Sequence, residues 1–268
     1  MDSDNKIIGL LCSTISVFTA TTMVHGFDVI RISQQINMKP QYTFNYLYRG
    51  YSAGLLRQLT YAVPNLTIFT ELNRRHKQIH NTEPSVIYKA AFGAISGAVG
   101  GFSGTPSEVI MIRSINPSLP TVGFTHHLRD IYATNGIRSF FQGSYAAIIR
   151  SASFNSIRLS VYSESKIRIQ NAYPTLEGTS TLHFASAFCG TSLGIFITNP
   201  IDYIKSQMQK PGEKKGVVDI IKNTQSQHGI RGFYKGITAS LFKSVPHSII
   251  SFVILERLTR FMTGRDAI

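Results

Sequence analysis

The sequence predicts an all-α membrane protein of six transmembrane helices, arranged as three pseudo-threefold-related repeats. Three observations predict it. The first is a period: Tyr48-Arg49-Gly50, Phe141-Gln142-Gly143 and Tyr234-Lys235-Gly236 each end on a glycine, and these glycines stand 93 residues apart in both intervals. Self-similarity at a fixed spacing marks a repeat architecture. The second is a set of six long apolar segments, over roughly 7–34, 50–75, 86–115, 144–168, 182–210 and 237–263. Each is long enough to cross about 30 Å of hydrocarbon at about 1.5 Å per residue. The third is composition: the 268 residues are 43% apolar and only 15% charged, yet carry a net charge of +13. Ordinary globular chains carry roughly 25% charged residues.

The period divides the chain into units over 1–80, 81–175 and 176–268, each an apolar segment, a polar connection and a second apolar segment. The first segment ends in Gly26-Phe27-Asp28, with Arg31 three residues on. The second opens at Gly50 and carries Arg57, Tyr61 and Asn65 at successive turns. The third holds Gly93, Gly97, Gly100 and Gly101 at one-turn spacing, the small-residue pattern that lets membrane helices pack closely. It ends in Pro106-Ser107-Glu108, with Met111 following. The fourth opens at Gly143 and carries Arg150, Asn155 and Arg158; the fifth repeats the small residues at Gly190 and Gly194 and ends in Pro200-Ile201-Asp202 and Lys205; the sixth opens at Gly236 and carries Lys243. Pro106 and Pro200 are expected to kink their helices, and Gly26 stands in the corresponding place of the first. From acid to glycine the three connections run 22, 35 and 34 residues, so the first lacks about a dozen, and Lys39-Pro40 argues against a helix through it.

Ser, Thr and Gly are scattered through all six segments, and a few charges lie in mid-segment. A single-pass anchor does not read this way; a bundle around a watery cavity does, because only its lipid-facing positions need be apolar. Arg57, Arg150 and Lys243 each stand seven residues past a repeat glycine and so share one height. A cation at bilayer depth costs at least about 2.5–3.5 kcal/mol, so three at one level call for water or anions between them. A trigonal cationic site suits a small dicarboxylate, which Arg grips through two parallel hydrogen bonds and Lys as a point charge. The same cations can instead pair with protein acids or reach lipid headgroups.

The remaining features mainly exclude. Two cysteines, Cys12 and Cys189, make neither a disulfide framework nor a multi-thiolate metal site. The histidines lack ligand spacing, and no G-x-G-x-x-G, P-loop or nucleophile elbow occurs, so no enzyme chemistry, metal or cofactor is expected. The basic balance suits nucleic acid, anionic lipid or an anionic substrate. Without a basic cluster, a recognisable module or an aromatic platform, nucleic acid is not expected. The acidic, polar start is not a secretory signal, and no Arg-rich presequence follows.

An odd helix closing on Pro-x-acid-x-x-base, followed by an aromatic, a base and Gly opening the even helix, resembles the mitochondrial carrier family in all three repeats. The third matches best, with Pro200, Asp202, Lys205, Gly229, Phe233, Tyr234, Lys235 and Gly236. The runs Ser52 to Tyr61, Gly104 to Val109 with Ile112-Arg113, Pro246 to Ser248 and Phe252 to Glu256 are similar to the family's 2-oxoglutarate/malate-exchanging members. The resemblance implies the mitochondrial carrier fold, a multi-pass place in the mitochondrial inner membrane, and exchange of 2-oxoglutarate/malate-like dicarboxylates by alternating access. It implies substrate binding at Arg57, Arg150 and Lys243, helped by Tyr61. Asn65 stands where those members carry another Arg, a loss for which Arg158 can compensate. Gln58 and Asn155 are weaker helpers, as fit for packing between helices as for binding. It implies a matrix gate of Asp28, Arg31, Glu108, Asp202 and Lys205, with Arg31 pairing to Glu108, Lys205 to Asp28, and Asp202 left without a base by Met111. The opposite gate is thin, at Thr70, Asn73, Ser163, Lys166, Glu256 and Thr259. The resemblance implies lipid binding, with cardiolipin as the family's lipid, at Gly50, Gly143 and Gly236, through helix-start N–H groups beside Arg49 and Lys235. An alternative reading is a carrier fold without transport, serving as a structural subunit of a larger inner-membrane respiratory complex; Gly26, Met111, Asn65 and the short first connection favour it.

Overall fold

A computed structural model describes residues 2–116, 123–177, 179–210 and 216–263. Among the described residues six long helices carry the fold: α1 (Asp2–Gln35), α3 (Tyr51–His80), α4 (Val86–Ile115), α6 (Ser144–Ala172), α7 (Ser180–Met208) and α9 (Ile237–Thr263). Three shorter ones lie in the connections: α2 (Phe44–Leu47), α5 (Phe124–Asn135) and α8 (Val217–His228). No strand occurs among the described residues. The shortened first connection keeps only the four-residue α2, where the other two hold helices of 12 residues each.

The long helices form a bundle in which α3 packs on α4, α4 on α6, α6 on α7, and α9 returns to α1. Glycine sets the closeness of the α4 contacts. A Cβ on Gly97 would meet the Ser151 carbonyl oxygen at 2.6 Å, and one on Gly101 the Ala147 carbonyl oxygen at 2.8 Å, so this stripe lies directly on the α6 backbone. Gly100 turns instead to α3, 2.9 Å from the Tyr61 carbonyl oxygen. One helix thus presents two glycine faces to two neighbours. Pro106 and Pro200 lie inside α4 and α7, and both helices continue past them, as α1 does past Gly26.

The bundle is polar inside and apolar outside. Ser16, Thr21, His25, Asp28, Glu108, Asn155, Asn199 and Asp202 are buried, while Met23, Val63, Ile95, Phe102, Phe188, Phe196, Phe242 and Val253 are exposed. Such a surface fits lipid rather than water. The buried hydroxyls donate back one turn: Ser16 to the Cys12 carbonyl at 2.6 Å, Thr105 to Gly101 at 2.7 Å and Thr198 to Gly194 at 2.8 Å. By length and composition alone, Val86–Ile115, Thr181–Met208 and Ile230–Leu255 qualify as spans. Among the described residues α1, α3 and α6 do not qualify by that measure, since each mixes its apolar residues with polar and charged ones.

Burial concentrates at one end, where the last turns of α1, α4 and α7 meet. Val29, Ile32, Ile36, Val109, Ile112, Ile115 and Tyr46 form a continuous apolar cluster there with Ile131 of α5. Toward the other end of α3 and α6 the side chains are mostly half-buried or exposed.

Candidate functional site

A cavity of about 350 Å³ lies between the helices. Its floor is set by Arg31 of α1, Arg150 of α6, Asp202 of α7 and Lys243 of α9; above them stand Tyr61 and Asn65 of α3 and Arg158 of α6. Gln58, Phe154, Asn155 and His247 complete the polar and aromatic part of the wall. Arg57 does not line it: its guanidinium turns away, toward Asp28 at 4.0 Å.

The floor cations already hold protein acids. Arg150 Nε lies 2.8 Å from Asp202 Oδ1, and Lys243 Nζ lies 2.6 Å from Asp28 Oδ2. Asp28 also receives Arg31 at 3.3 Å, within its own helix. The cations of the expected three-cation level are therefore paired across helices with the acids that end the odd ones. Just below, Lys205 donates to Glu108 at 2.7 Å, both groups buried. This corrects the gate expected from the sequence. Arg31 does not pair with Glu108, nor Lys205 with Asp28. The acid of α4 meets the base of α7, so pairing runs the other way around the ring. In that direction Asp28 faces position 111, and Met111 has no charge to offer. The acid left without its base is Asp28 rather than Asp202. Asp28 recruits Lys243, Arg31 and Arg57 in its place, and Asp202, without Arg31, takes Arg150.

Below the ion pairs, neutral side chains tie the closed end together; of these the repeat pattern marks Gln142, in the triplet Phe141-Gln142-Gly143, and leaves Gln35, Ser206 and Gln207 unmarked. Ser206 donates to Gln35 Oε1 at 2.8 Å, Gln207 Nε2 to the Gln35 carbonyl at 2.7 Å, and Gln142 Nε2 to the Met208 carbonyl at 2.6 Å. His25 was also missed: fully buried one turn before Asp28, it holds the Arg49 carbonyl at 3.1 Å from Nε2 and packs edge-on against Tyr51. Amides and single histidines repeat at no fixed spacing, so only the fold brings them together.

On the upper wall, Asn155 Nδ2 donates to the Tyr61 hydroxyl at 2.9 Å, while Asn155 Oδ1 accepts from Arg158 at 3.4 Å. Two residues of the expected opposite gate turn to their own helix. Thr70 and Asn73 bond carbonyls of their own helix, at 2.9 Å to Leu66 and 2.8 Å to Phe69. The side chains of Glu256 and Thr259 lie outside the described residues.

Gly50, Gly143 and Gly236 precede α3, α6 and α9 with φ of +67°, +75° and +82°. A side chain is strained at such angles. Each glycine accepts the first helical bond through its carbonyl, from Gly54, Ala147 and Ser240, which leaves the intervening first-turn N–H groups without an intrahelical acceptor.

Comparison with known proteins shows what the chain is similar to. The family described as "Mitochondrial carrier protein" matches residues 82–173 and 177–266. A "Mitochondrial dicarboxylate carrier" of Caenorhabditis elegans is 29% identical over 262 residues, covering 89% of both chains. A "Mitochondrial 2-oxoglutarate/malate carrier protein" of Bos taurus is 25% identical over 288 residues, covering 95% of this chain and 91% of its own. A "Mitochondrial dicarboxylate/tricarboxylate transporter DTC" of Arabidopsis thaliana is 26% identical over 272 residues, covering 90% of this chain and 89% of its own.

Proposed function

This chain belongs to the mitochondrial carrier family, and from that premise we propose that it exchanges small dicarboxylates of the 2-oxoglutarate/malate type across the mitochondrial inner membrane by alternating access. The relatives named for dicarboxylate and 2-oxoglutarate/malate transport, similar over most of their length, support the substrate class. The observation that carries the reading is the cavity itself. It ends on a floor of ion pairs, and around it Arg31, Arg57, Arg150, Arg158, Lys205 and Lys243 outnumber Asp28, Glu108 and Asp202 by three charges.

In this reading Arg150 and Lys243 are the substrate cations, supported by Arg57 and by Tyr61 and Asn65 on the wall. An incoming dianion competes with Asp202 for Arg150 and with Asp28 for Lys243. A carboxylate displaced from its cation leaves the closed end with fewer bonds between helices. The Lys205–Glu108 pair and the Gln35 amide network then carry the closure alone, and the floor can open. A ligand shifts such an equilibrium only by binding one state better, and exchange of one carboxylate partner for another gives that difference. The closed end, at α5 and α8, is assigned to the matrix side. The first-turn N–H groups after Gly50, Gly143 and Gly236 are assigned to lipid phosphate, cardiolipin being the expected partner.

The test is uptake of labelled 2-oxoglutarate by the purified protein in cardiolipin-containing liposomes loaded with malate. Saturable uptake that requires internal malate is expected. Folded protein that takes up none of a panel of di- and tricarboxylates would overturn exchange and return the chain to a structural role.

A further inference from the structure

Every cation on the cavity floor has a carboxylate partner, and the one on the upper wall has none. Arg158 lines the cavity, and among the described residues no carboxylate lies within ion-pair reach of it. It donates one long hydrogen bond, 3.4 Å, to Asn155 Oδ1. Arg158 is half-buried in the cavity wall, and a guanidinium with one long neutral acceptor and no counter-charge is matched by an anion that enters the cavity. The fold fixes its place: a Cβ on Gly190 of α7 would stand 2.6 Å from the Arg158 carbonyl oxygen, so this stretch of α6 is clamped against its neighbour.

The surroundings suit a carboxylate. Asn155 uses its amide N–H on the Tyr61 hydroxyl oxygen at 2.9 Å, which leaves the Tyr61 proton free to donate into the cavity. Between the two arginines of α6, Phe154 also lines the cavity, with the Arg150 guanidinium 5.2 Å from its ring centre. It offers an apolar face at mid-height. Eight residues of helix separate Arg150 from Arg158, about 12 Å of rise, a gap that two long side chains can shorten to the length of a short dicarboxylate.

We propose that Arg158, with the Tyr61 hydroxyl, forms a carboxylate subsite above the paired floor and sets specificity for dianions. It takes one carboxylate on entry, before any ion pair opens, and the second then reaches Arg150 and Lys243 past the Phe154 ring. The ligand class is an anion with two carboxylates joined by a short carbon chain, in preference to a monocarboxylate. The subsite rests on the exchange reading for its role in transport, and on geometry alone for anion binding.

Arg158→Gln and Arg158→Lys are compared with the unsubstituted protein in two assays. In malate-loaded liposomes, Arg158→Gln raises KM for 2-oxoglutarate by roughly 10- to 100-fold, the loss expected of a charge-assisted contact, with Vmax within about twofold. Arg158→Lys recovers part of the loss, and Arg158→Gln lowers the preference for succinate over propionate as competitor. In detergent, malate raises Tm of the unsubstituted protein and not of Arg158→Gln, whose Tm without anion is equal or higher because its repulsion with the floor cations is gone. Exchange with an unaltered KM in Arg158→Gln overturns the subsite and leaves exchange standing. A malate-induced rise in Tm that Arg158→Gln abolishes, in a protein that exchanges nothing, supports the subsite and overturns exchange. A fall in Tm without anion and in Vmax at constant KM assigns Arg158 to packing and overturns the subsite.

Discussion

Asp28 is surrounded by Lys243 at 2.6 Å, Arg31 at 3.3 Å and Arg57 at 4.0 Å, and is itself buried. Removing one member of a buried ion pair costs about 3–5 kcal/mol, because it leaves the other charge uncompensated. Asp28→Asn leaves three cations so exposed to one another and is expected to lower Tm in detergent more than Asp202→Asn, which strands Arg150 alone. Added malate should recover more of the loss in Asp28→Asn, since a dianion supplies the missing charge. Equal losses without recovery would remove Asp28 from the centre of the network. At this scale the sequence showed the participants and not their partners. The repeat spacing placed Arg57, Arg150 and Lys243 at one height, and the acid and base positions followed from the same period. Which acid meets which base depends on the direction in which the odd helices follow one another around the ring. A linear spacing carries no such handedness, so it does not choose between Glu108, which Lys205 meets, and Asp28, the partner the resemblance implied.

Helix contacts turn on glycine more than on charge. Gly97→Ala puts a Cβ 2.6 Å from a backbone oxygen of α6, which cannot rotate away, so the two helices must separate. Overpacking of this kind typically costs about 1–3 kcal/mol. Gly97→Ala should therefore lower Tm, while Gly123→Ala, with nothing within 4 Å of its added Cβ, should leave Tm unchanged. Equal Tm values for both would mean that α4 and α6 are not in this contact. Met111 gives a second element-scale test. It is buried where the pairing direction calls for a base opposite Asp28. Met111→Lys should compete with Lys243 for Asp28, strengthen the tie between α1 and α4, and slow exchange while raising Tm. Faster exchange with a lower Tm would contradict that assignment. The six long helices were legible because apolar length and the repeat glycines bound them closely: the expected 86–115 and 237–263 are α4 and α9 as found. The short α2 was foreshadowed by Lys39-Pro40, whereas the seal of Gln35, Ser206 and Gln207 was not, since these neutral side chains carry neither period nor hydropathy signal, and Gln142 stood in the repeat without its partner, the Met208 carbonyl, being legible.

As a whole, the molecule is an apolar shell around a polar shaft that one end closes. The closure is made of ion pairs with acids that a carboxylate substrate can imitate, and the shaft carries a surplus of positive charge. These properties define exchange rather than free passage: an empty cavity keeps its floor bonded, and only an anion in the cavity supplies the replacement partners. The most direct measurement is therefore coupled flux. Liposomes containing the protein and labelled malate should retain their label in anion-free buffer. On addition of external 2-oxoglutarate they should release it, one malate for each 2-oxoglutarate taken up, and the Arg150→Gln/Lys243→Gln double variant should do neither. Release of malate without an external anion, or equal flux from the double variant, would contradict the account.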